Sequence, residues 1–337
     1  MKTRSFLQFV GPSVALMVLL LAAPMVITFY LSMRNCALQM ETVKVEESTP
    51  FGKRETVTQR AKVDAQGRPV EQCTFVGLGY YRRVLGLDHN AQQAQPPEAG
   101  AASAHANRAD NEFLGALRFT LIYTFATLPF VLVIGFLLAL AVNGATQRLK
   151  GLFITASLLP FIITPIVSAL SIKWLFRDNG LVPYLLSKVG IQVFWMAQAW
   201  SARLLIILYG IWHVVPFAFI VLYAGLQSVP QDALEAATID GATRWQKLRY
   251  VTVPHLMPLF VFITLIHLMD AYRVFEPVIV LTQGAFTTSV QYLTYYILLV
   301  ESNPYKASAA AVLTLLGIVV LLIPMLVKTW REQKGGV

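Results

Sequence analysis

One apolar stretch of this chain carries ionisable side chains at helical spacing. In "HLMDAYRVFEP", His267, Asp270 and Arg273 are three residues apart, and Glu276 continues the row. Residues at this spacing share one face of a helix. Ionisable groups are costly inside a membrane and usually face an aqueous path or a partner. The row therefore predicts a hydrated path or a protein contact.

Two neighbouring apolar runs add polar and aromatic groups that suit the same path. They are Trp212 and His213 in one run, and Ser168 and Ser171 in the other. Aromatic faces combined with several hydrogen-bonding groups favour a hydroxyl-rich solute over an apolar one. A second interpretation stays open, in which the charged residues only neutralise one another or hold a partner chain.

The elements that must position these residues are long apolar helices. Of the 337 residues, 56% are hydrophobic and 13% are charged, whereas soluble domains have about 25% charged residues. A bilayer core of about 30 Å needs roughly 20 apolar residues per helix. Six runs are long enough: about 11–33, 113–142, 151–176, 203–224, 258–281 and 306–328. We therefore predict an all-α polytopic membrane protein with six transmembrane helices.

The ends of these runs predict their orientation. Basic residues such as Arg148, Lys150, Lys247 and Lys328 fall on the side that also holds the N-terminus, and an excess of Lys and Arg marks the cytoplasmic side. Both termini are therefore predicted to be cytoplasmic. The first run continues without interruption to Met33, which favours an uncleaved helix over a signal peptide. The net charge of +9 forms no basic stripe with interleaved aromatics, so nucleic acid is not expected as a partner.

Residues 34–112 are predicted to be a small extracytoplasmic insert and a linker. "METVKVEE" and "RETVTQRAKVD" alternate like short strands, and Asn90–Asp110 is Ala-, Gln- and Pro-rich like a tether. Cys36 and Cys73 are the two cysteines of the chain, and both fall outside, where disulfides persist. They form either a bridge that pins the insert to the first helix or two separate thiols. Two cysteines without histidines at ligand spacing predict no metal site.

The stretch "EAATIDGATRWQKLRYVTVPHLMP" (235–258) interrupts the apolar runs with charged residues and good helix formers. Pro230 suits the start of a first helix, and Gly241 permits the backbone reversal that ends it. In the second helix Trp245 is predicted to pack against its neighbours. Pro254 and Pro258 are predicted to end that helix where the chain enters the membrane.

This stretch resembles the cytoplasmic loop signature of permease subunits in binding-protein-dependent importers of the ATP-binding-cassette (ABC) superfamily. The residues that match in register are Glu235, Ala236, Ala237, Asp240, Gly241, Ala242 and Pro254. "FVGLGYYRRVL" (75–85) and the segment 281–313 resemble parts of sugar permeases. The resemblance divides the chain into 1–33 (tail and helix 1), 34–112 (insert and linker) and 113–337 (permease core with a coupling loop at 225–258).

The same resemblance implies a set of partners. They are a second permease subunit, two cytoplasmic ATPase subunits that grip the coupling loop, and an extracytoplasmic solute-binding protein, all at a bacterial inner membrane with its lipid. The chain has no phosphate-binding G-x-x-x-x-G-K-[ST] motif, so no cofactor is expected on it, and ATP and Mg are expected on the ATPase. Motifs of hydrolases such as H-E-x-x-H and G-x-S-x-G are also missing, so the chain is not expected to be an enzyme.

The predicted function is therefore a permease subunit that forms the path of a sugar or sugar-like solute. A sugar phosphate or glycerol phosphate is the alternative, because Arg273 and two histidines could meet an anion. A membrane scaffold or regulator is a third class, which would not need the coupling signature. The substrate itself is left open by the sequence.

Overall fold

The computed structural model describes residues 3–49, 52–64, 71–87 and 112–334. Contacts within the chain divide it into two compact units. The first unit comprises Met1–Asp110 and Ile297–Leu313, and the second comprises Asn111–Tyr296 and Thr314–Val337.

The first unit combines one long apolar helix with short strands. Helix α1 (Thr3–Ser32) is followed by β1 (Arg34–Leu38), β2 (Met40–Thr49), β3 (Gly52–Ala61), β4 (Glu71–Phe75) and the short helix α2 (Gly79–Val84). β1 pairs with β4 and β2 pairs with β3, both antiparallel. β2 and β3 form over the two alternating stretches, where β-branched residues favour extended backbone. The predicted tether at 90–110 lies outside the described residues.

The base of the insert is attached to the end of α1. The Met33 carbonyl accepts hydrogen bonds from the backbone N–H groups of Val76 (2.9 Å) and Gly77 (3.2 Å). Cys36 lies opposite Cys73 in the β1–β4 pair, and a disulfide joins the two residues. The disulfide and these hydrogen bonds therefore hold the start and the end of the insert together at the C-terminal end of α1.

The second unit is helical. Its helices are α3 (Glu112–Gly144), α4 (Gln147–Ile162), α5 (Pro165–Phe176), α6 (Leu181–Lys188), α7 (Ala199–Gln227), α8 (Gln231–Ile239), α9 (Arg244–Lys247) and α10 (Val253–Tyr272). Two π-helical turns cover Leu248–Thr252 and Val278–Thr282. Helices α11 (Val290–Leu299) and α12 (Pro304–Lys334), of which residues 297–299 and 304–313 belong to the first unit, complete the described chain. Five helices in the described residues are long and apolar enough to cross a membrane, and a bent pair brings the number to six. The predicted all-α membrane architecture is confirmed.

Helices α3 and α7 form the centre of the second unit. Gly135 of α3 lies directly against Ala218 of α7, and a Cβ at position 135 would come within 2.7 Å of the Ala218 methyl group. Val131, Phe219 and Leu222 are fully buried beside this contact. Small residues let membrane helices approach closely, so that dispersion contacts replace the hydrophobic effect as the source of stability.

The third predicted run, 151–176, is not one helix. The structure breaks it at Ile163 and Thr164, which have extended backbone with ψ of 132° and 142°. Proline disfavours helical backbone in the residue before it, so Pro165 ends α4 and starts α5. The segments Gln147–Ile162 and Pro165–Lys188 are bent by 94° relative to each other.

The fifth run also differs from its prediction. Pro254 and Pro258 do not end the helix, because one helical element runs from Arg244 to Tyr272. Proline removes a backbone N–H and crowds the carbonyl of the residue four positions earlier. The π-helical turn at Leu248–Thr252, immediately before Pro254, changes the hydrogen-bond pattern at this point and accommodates the ring.

Candidate functional site: a coupling segment and a polar cluster in the helices

The segment from α8 to α9 owes its shape to one glycine. Gly241 has a φ of 77°, in the left-handed region. The N–H of Gly241 donates to Thr238 O (3.0 Å), and the N–H of Ala242 donates to Ala237 O (2.9 Å). This pair of bonds is the Schellman motif, which satisfies the last carbonyls of a helix when the next residue is left-handed. Gly241 therefore ends α8 at the predicted position and turns the chain toward α9.

Helix α9 begins with a capping box. The backbone N–H of Gln246 donates to Thr243 Oγ1 (3.3 Å), and the backbone N–H of Thr243 donates to Gln246 Oε1 (2.7 Å). Such reciprocal bonds satisfy two of the N–H groups that a helix start leaves without partners. The turn between α8 and α9 is thus fixed from both sides.

A cleft of about 400 Å³ separates the two short helices, and Glu235 lies on its wall. The side chain of Lys247 crosses it and donates to Thr238 Oγ1 (2.9 Å). The cleft is lined by Gln231, Leu234, Glu235, Thr238, Arg244, Lys247, Leu248 and Thr252. It therefore combines a carboxylate, two cations and aliphatic surface.

Large apolar side chains of this segment point away from the rest of the chain. Ile239 is 87% exposed and Trp245 is 67% exposed. Neither α8 nor α9 contains a buried residue. The prediction that Trp245 packs within the chain is wrong, because its side chain is mostly exposed on a helix of four residues that has no buried residue. Large exposed apolar groups on a defined turn mark an interaction surface.

In the helices, the predicted path residues are gathered around Tyr209, a residue that was not predicted from the sequence. The Tyr209 hydroxyl donates to Pro165 O (2.9 Å) and shares a hydrogen bond of 2.7 Å with Ser168 Oγ. His213 stacks on the Tyr209 ring, with centroids 5.6 Å apart and planes 9° apart. The Trp212 ring lies 6.2 Å away. Tyr209 precedes His213 by four residues, a helical spacing that could have identified it.

Glu276 lies near this cluster and is half-buried, but within the described residues it makes no hydrogen bond or ion pair with Tyr209 or His213. Ser171 follows Ser168 on α5; it is exposed, and its hydroxyl donates to Val167 O (3.0 Å). Ser168, Trp212 and His213 are therefore brought together around Tyr209. Ser171 continues the same helix toward the surface of the chain.

The row from His267 to Glu276 is not one continuous helix face. Helix α10 ends at Tyr272, with Arg273 as its C-terminal cap, and Glu276 begins the next helical turn. His267 is buried, and its Nε2 shares a hydrogen bond of 2.9 Å with Thr127 of α3. Asp270 and Arg273 are exposed on the surface of the chain, so the row is divided between an internal contact and an outer face.

The charged members of the row do not neutralise one another at close range. No short ion pair joins Asp270, Arg273 and Glu276 within the described part of the chain. Asp270 and Arg273 carry charge on a face of the chain that the second unit itself does not cover. Asp270 and Arg273 lie at the C-terminal end of α10, and exposed ionisable groups of a membrane helix usually face an aqueous path or a partner.

Comparison with known proteins assigns the chain to a family. Residues 99–334 match the family described as binding-protein-dependent transport system inner membrane component. The chain belongs to this family. It is therefore an integral membrane transport subunit, a permease, and not an enzyme.

Two curated relatives and one solved structure illustrate the similarity of this permease to others. It is 32% identical to the trehalose/maltose transport system permease protein MalF of Thermococcus litoralis over 67% of its own length and 70% of that protein. It is 32% identical to the trehalose transport system permease protein SugA of Mycobacterium tuberculosis, covering 78% of this chain and 77% of that one. The crystal structure of a bacterial alginate ABC transporter in complex with an alginate pentasaccharide-bound periplasmic protein matches with a TM-score of 0.60 and 26% identity, over 77% of this permease and 87% of that chain.

Proposed function

We propose that this permease forms part of the path by which a sugar or sugar-like solute crosses a bacterial inner membrane. In this proposal an extracytoplasmic binding protein delivers the solute, and a second permease subunit completes the path. Two cytoplasmic ATPase subunits bind ATP and Mg and supply the energy. Both termini and the coupling loop lie on the cytoplasmic side.

The coupling segment, defined as α8, the turn at Gly241 and α9, is the main support for this proposal. Glu235, Ala236, Ala237, Asp240, Gly241, Ala242 and Pro254, which match the signature, fall on α8, on the turn and at the start of α10. The Schellman turn and the capping box hold two short helices in one arrangement, and Ile239 and Trp245 project from it. A partner that buries these two side chains gains roughly 1.5–3 kcal/mol from each. An ATPase groove that accepts α8 and α9 would use this surface.

The polar cluster around Tyr209 supports a neutral, hydroxyl-rich solute. The Tyr209 and Ser168 hydroxyls are buried and bonded to each other, so the groups that a sugar would meet are the Trp212 ring, which is 41% exposed, and the half-buried His213 imidazole beside it. The relatives named for trehalose and maltose and the alginate transporter support a carbohydrate as well. The alternative of a sugar phosphate receives less support, because His267 is bonded to Thr127 inside the chain and does not join Arg273 as an anion site.

The experiment is to purify the permease from membranes in mild detergent and identify the chains that accompany it. We expect a second permease and an ATPase, and hydrolysis that rises when the loaded binding protein is added. Glu235→Ala should preserve membrane insertion and lower the stimulated hydrolysis, because it removes a carboxylate from the cleft. Asp178→Ala, which removes an exposed carboxylate outside α8 and α9, is the matched control.

A panel of neutral sugars, polyols and sugar phosphates then identifies the solute class. We expect uptake of neutral sugars driven by the binding protein. Uptake of sugar phosphates alone would contradict the neutral solute and leave the coupling proposal intact. Recovery of the permease alone, without an ATPase, would contradict the coupling proposal.

A further inference from the structure

Helix α6 exposes an apolar stripe with a cation at its end. Leu181, Tyr184 and Leu185 are 57%, 58% and 55% exposed, and Lys188 is exposed as well. Their spacing of three, four and seven residues places all four on one face of the helix. Helices of this kind lie in the plane of a membrane interface, with the apolar face toward the acyl chains.

A basic side chain near each end of this helix makes a cation–π contact with an aromatic ring. The Arg177 guanidinium lies 5.6 Å from the centre of the Trp174 ring, and the Lys188 ammonium lies 5.3 Å from the centre of the Tyr184 ring. Neither cation forms a short ion pair with a carboxylate in the described ranges of the chain. The two charges are therefore oriented by rings and remain available to an anion.

The residues around α6 are also rich in exposed aromatic and basic side chains. Trp174, Phe194 and Trp200 are exposed, and Trp and Tyr are enriched where a membrane meets water. Between positions 173 and 203 the sequence has four basic residues and a single acidic one, Asp178. The surface is thus aromatic, apolar and positively charged, which complements an anionic membrane surface.

We propose that the interfacial strip, defined as Trp174, Arg177, Leu181, Tyr184, Leu185 and Lys188, binds the head groups of anionic phospholipids. Leu181 and Leu185 enter the acyl region. The Arg177 and Lys188 side chains donate hydrogen bonds to phosphate oxygens from either end of α6, since long basic side chains extend toward the polar boundary of a bilayer. The strip then fixes the depth of the segment that follows the bend at Pro165.

The test places a photoreactive group inside the strip. Leu185 is replaced by p-benzoylphenylalanine in the full-length chain, which is reconstituted into nanodiscs of equimolar phosphatidylglycerol and phosphatidylcholine. After irradiation, mass spectrometry measures the ratio of the two lipid adducts at position 185. Near an anionic surface a basic residue contributes about 1 kcal/mol, or about fivefold in binding. We expect phosphatidylglycerol adducts to exceed phosphatidylcholine adducts about fivefold or more.

A matched pair of variants tests the cations. Lys188→Gln should lower the adduct ratio about fivefold. Lys306→Gln removes the same charge from a lysine that already pairs with Glu301 at 2.8 Å, so it should leave the ratio unchanged. An equal yield of both lipids, or an unchanged ratio in Lys188→Gln, would overturn the proposal. Crosslinking of position 185 to another protein in the purified transporter would also overturn it, because the strip would then be a protein interface.

Discussion

Replacement of Gly241 tests whether the coupling segment works through its fixed turn. The φ of 77° at this position is unfavourable for residues with a Cβ, and no other atom lies within 4 Å of the place where a Cβ would be. Gly241→Ala therefore introduces backbone strain without a steric clash. A left-handed conformation costs an L-residue about 1–2 kcal/mol.

This cost sets the expected change in docking. If the undocked loop relaxes and must return to its turn when the ATPase binds, a cost of about 1–2 kcal/mol weakens binding by about 5- to 30-fold. Gly241→Asn should lose much less, because asparagine tolerates the left-handed region. Gly241→Pro should lose the most, because proline fixes φ near about −65° and removes the N–H that bonds Thr238 O.

The assay titrates the ATPase into permease held in nanodiscs and records the concentration that gives half-maximal stimulated hydrolysis. Gly190 provides the control, since it has a φ of 80° and an added Cβ would meet no atom within 4 Å, but it lies far along the chain from α8. Gly190→Ala carries the same strain and should leave the titration unchanged. Equal titrations for Gly241→Ala and the wild type, or equal losses at both glycines, would refute the reasoning.

Three further outcomes are expected. Gly135→Leu should lower the midpoint of thermal unfolding in detergent by several degrees, since overpacking costs about 1–3 kcal/mol. Gly115→Leu, on the same helix, places its side chain in open space and should leave the midpoint unchanged. Similar midpoints for the two variants would contradict the close α3–α7 contact. A membrane-impermeant thiol reagent added outside should label Cys36 and Cys73 only after reduction, and labelling from the cytoplasmic side would reverse the proposed orientation. Asp270→Asn should weaken uptake roughly 10- to 100-fold, as expected for loss of a hydrogen bond to a charged group, with the complex still assembled; loss of the second permease instead would make Asp270 an interface residue.

Much of this architecture could be predicted because the bilayer imposes simple length and polarity rules. Apolar runs of about 20 residues identify spanning helices without any knowledge of packing. The role of Gly241 is equally predictable, since a helix followed by glycine commonly ends in a left-handed turn. These features depend on local chemistry, and the structure has them at the predicted positions except in the third run, which bends at Pro165, and in the fifth, where α10 ends at Tyr272.

The failures arise where one residue type has two structural outcomes. Pro165 breaks a helix, whereas Pro254 does not, because the π-helical turn at Leu248–Thr252 accommodates its ring, and Pro258 lies inside the continuous helix α10. Sequence spacing does not show whether such a turn will form. Likewise, the polar cluster depends on Tyr209 meeting Ser168 from another helix, a contact between residues far apart in the chain. The exposure of Trp245 depends on the absence of any covering element in the described chain.

The continuous helical element from Arg244 to Tyr272, which includes the π-helical turn, has a mechanical consequence. Its 29 residues span about 44 Å at 1.5 Å per residue. A tilt of about 10° about one end of such a rod would displace the other end by about 8 Å. Asp270 lies near the end of this element opposite α9, so a tilt at the α9 end displaces Asp270. In the proposed transporter, a rotation of about 7° at the ATPase end would move Asp270 by about 5 Å, roughly the width of a sugar ring, if the π-helical turn at Leu248–Thr252 transmits the rotation.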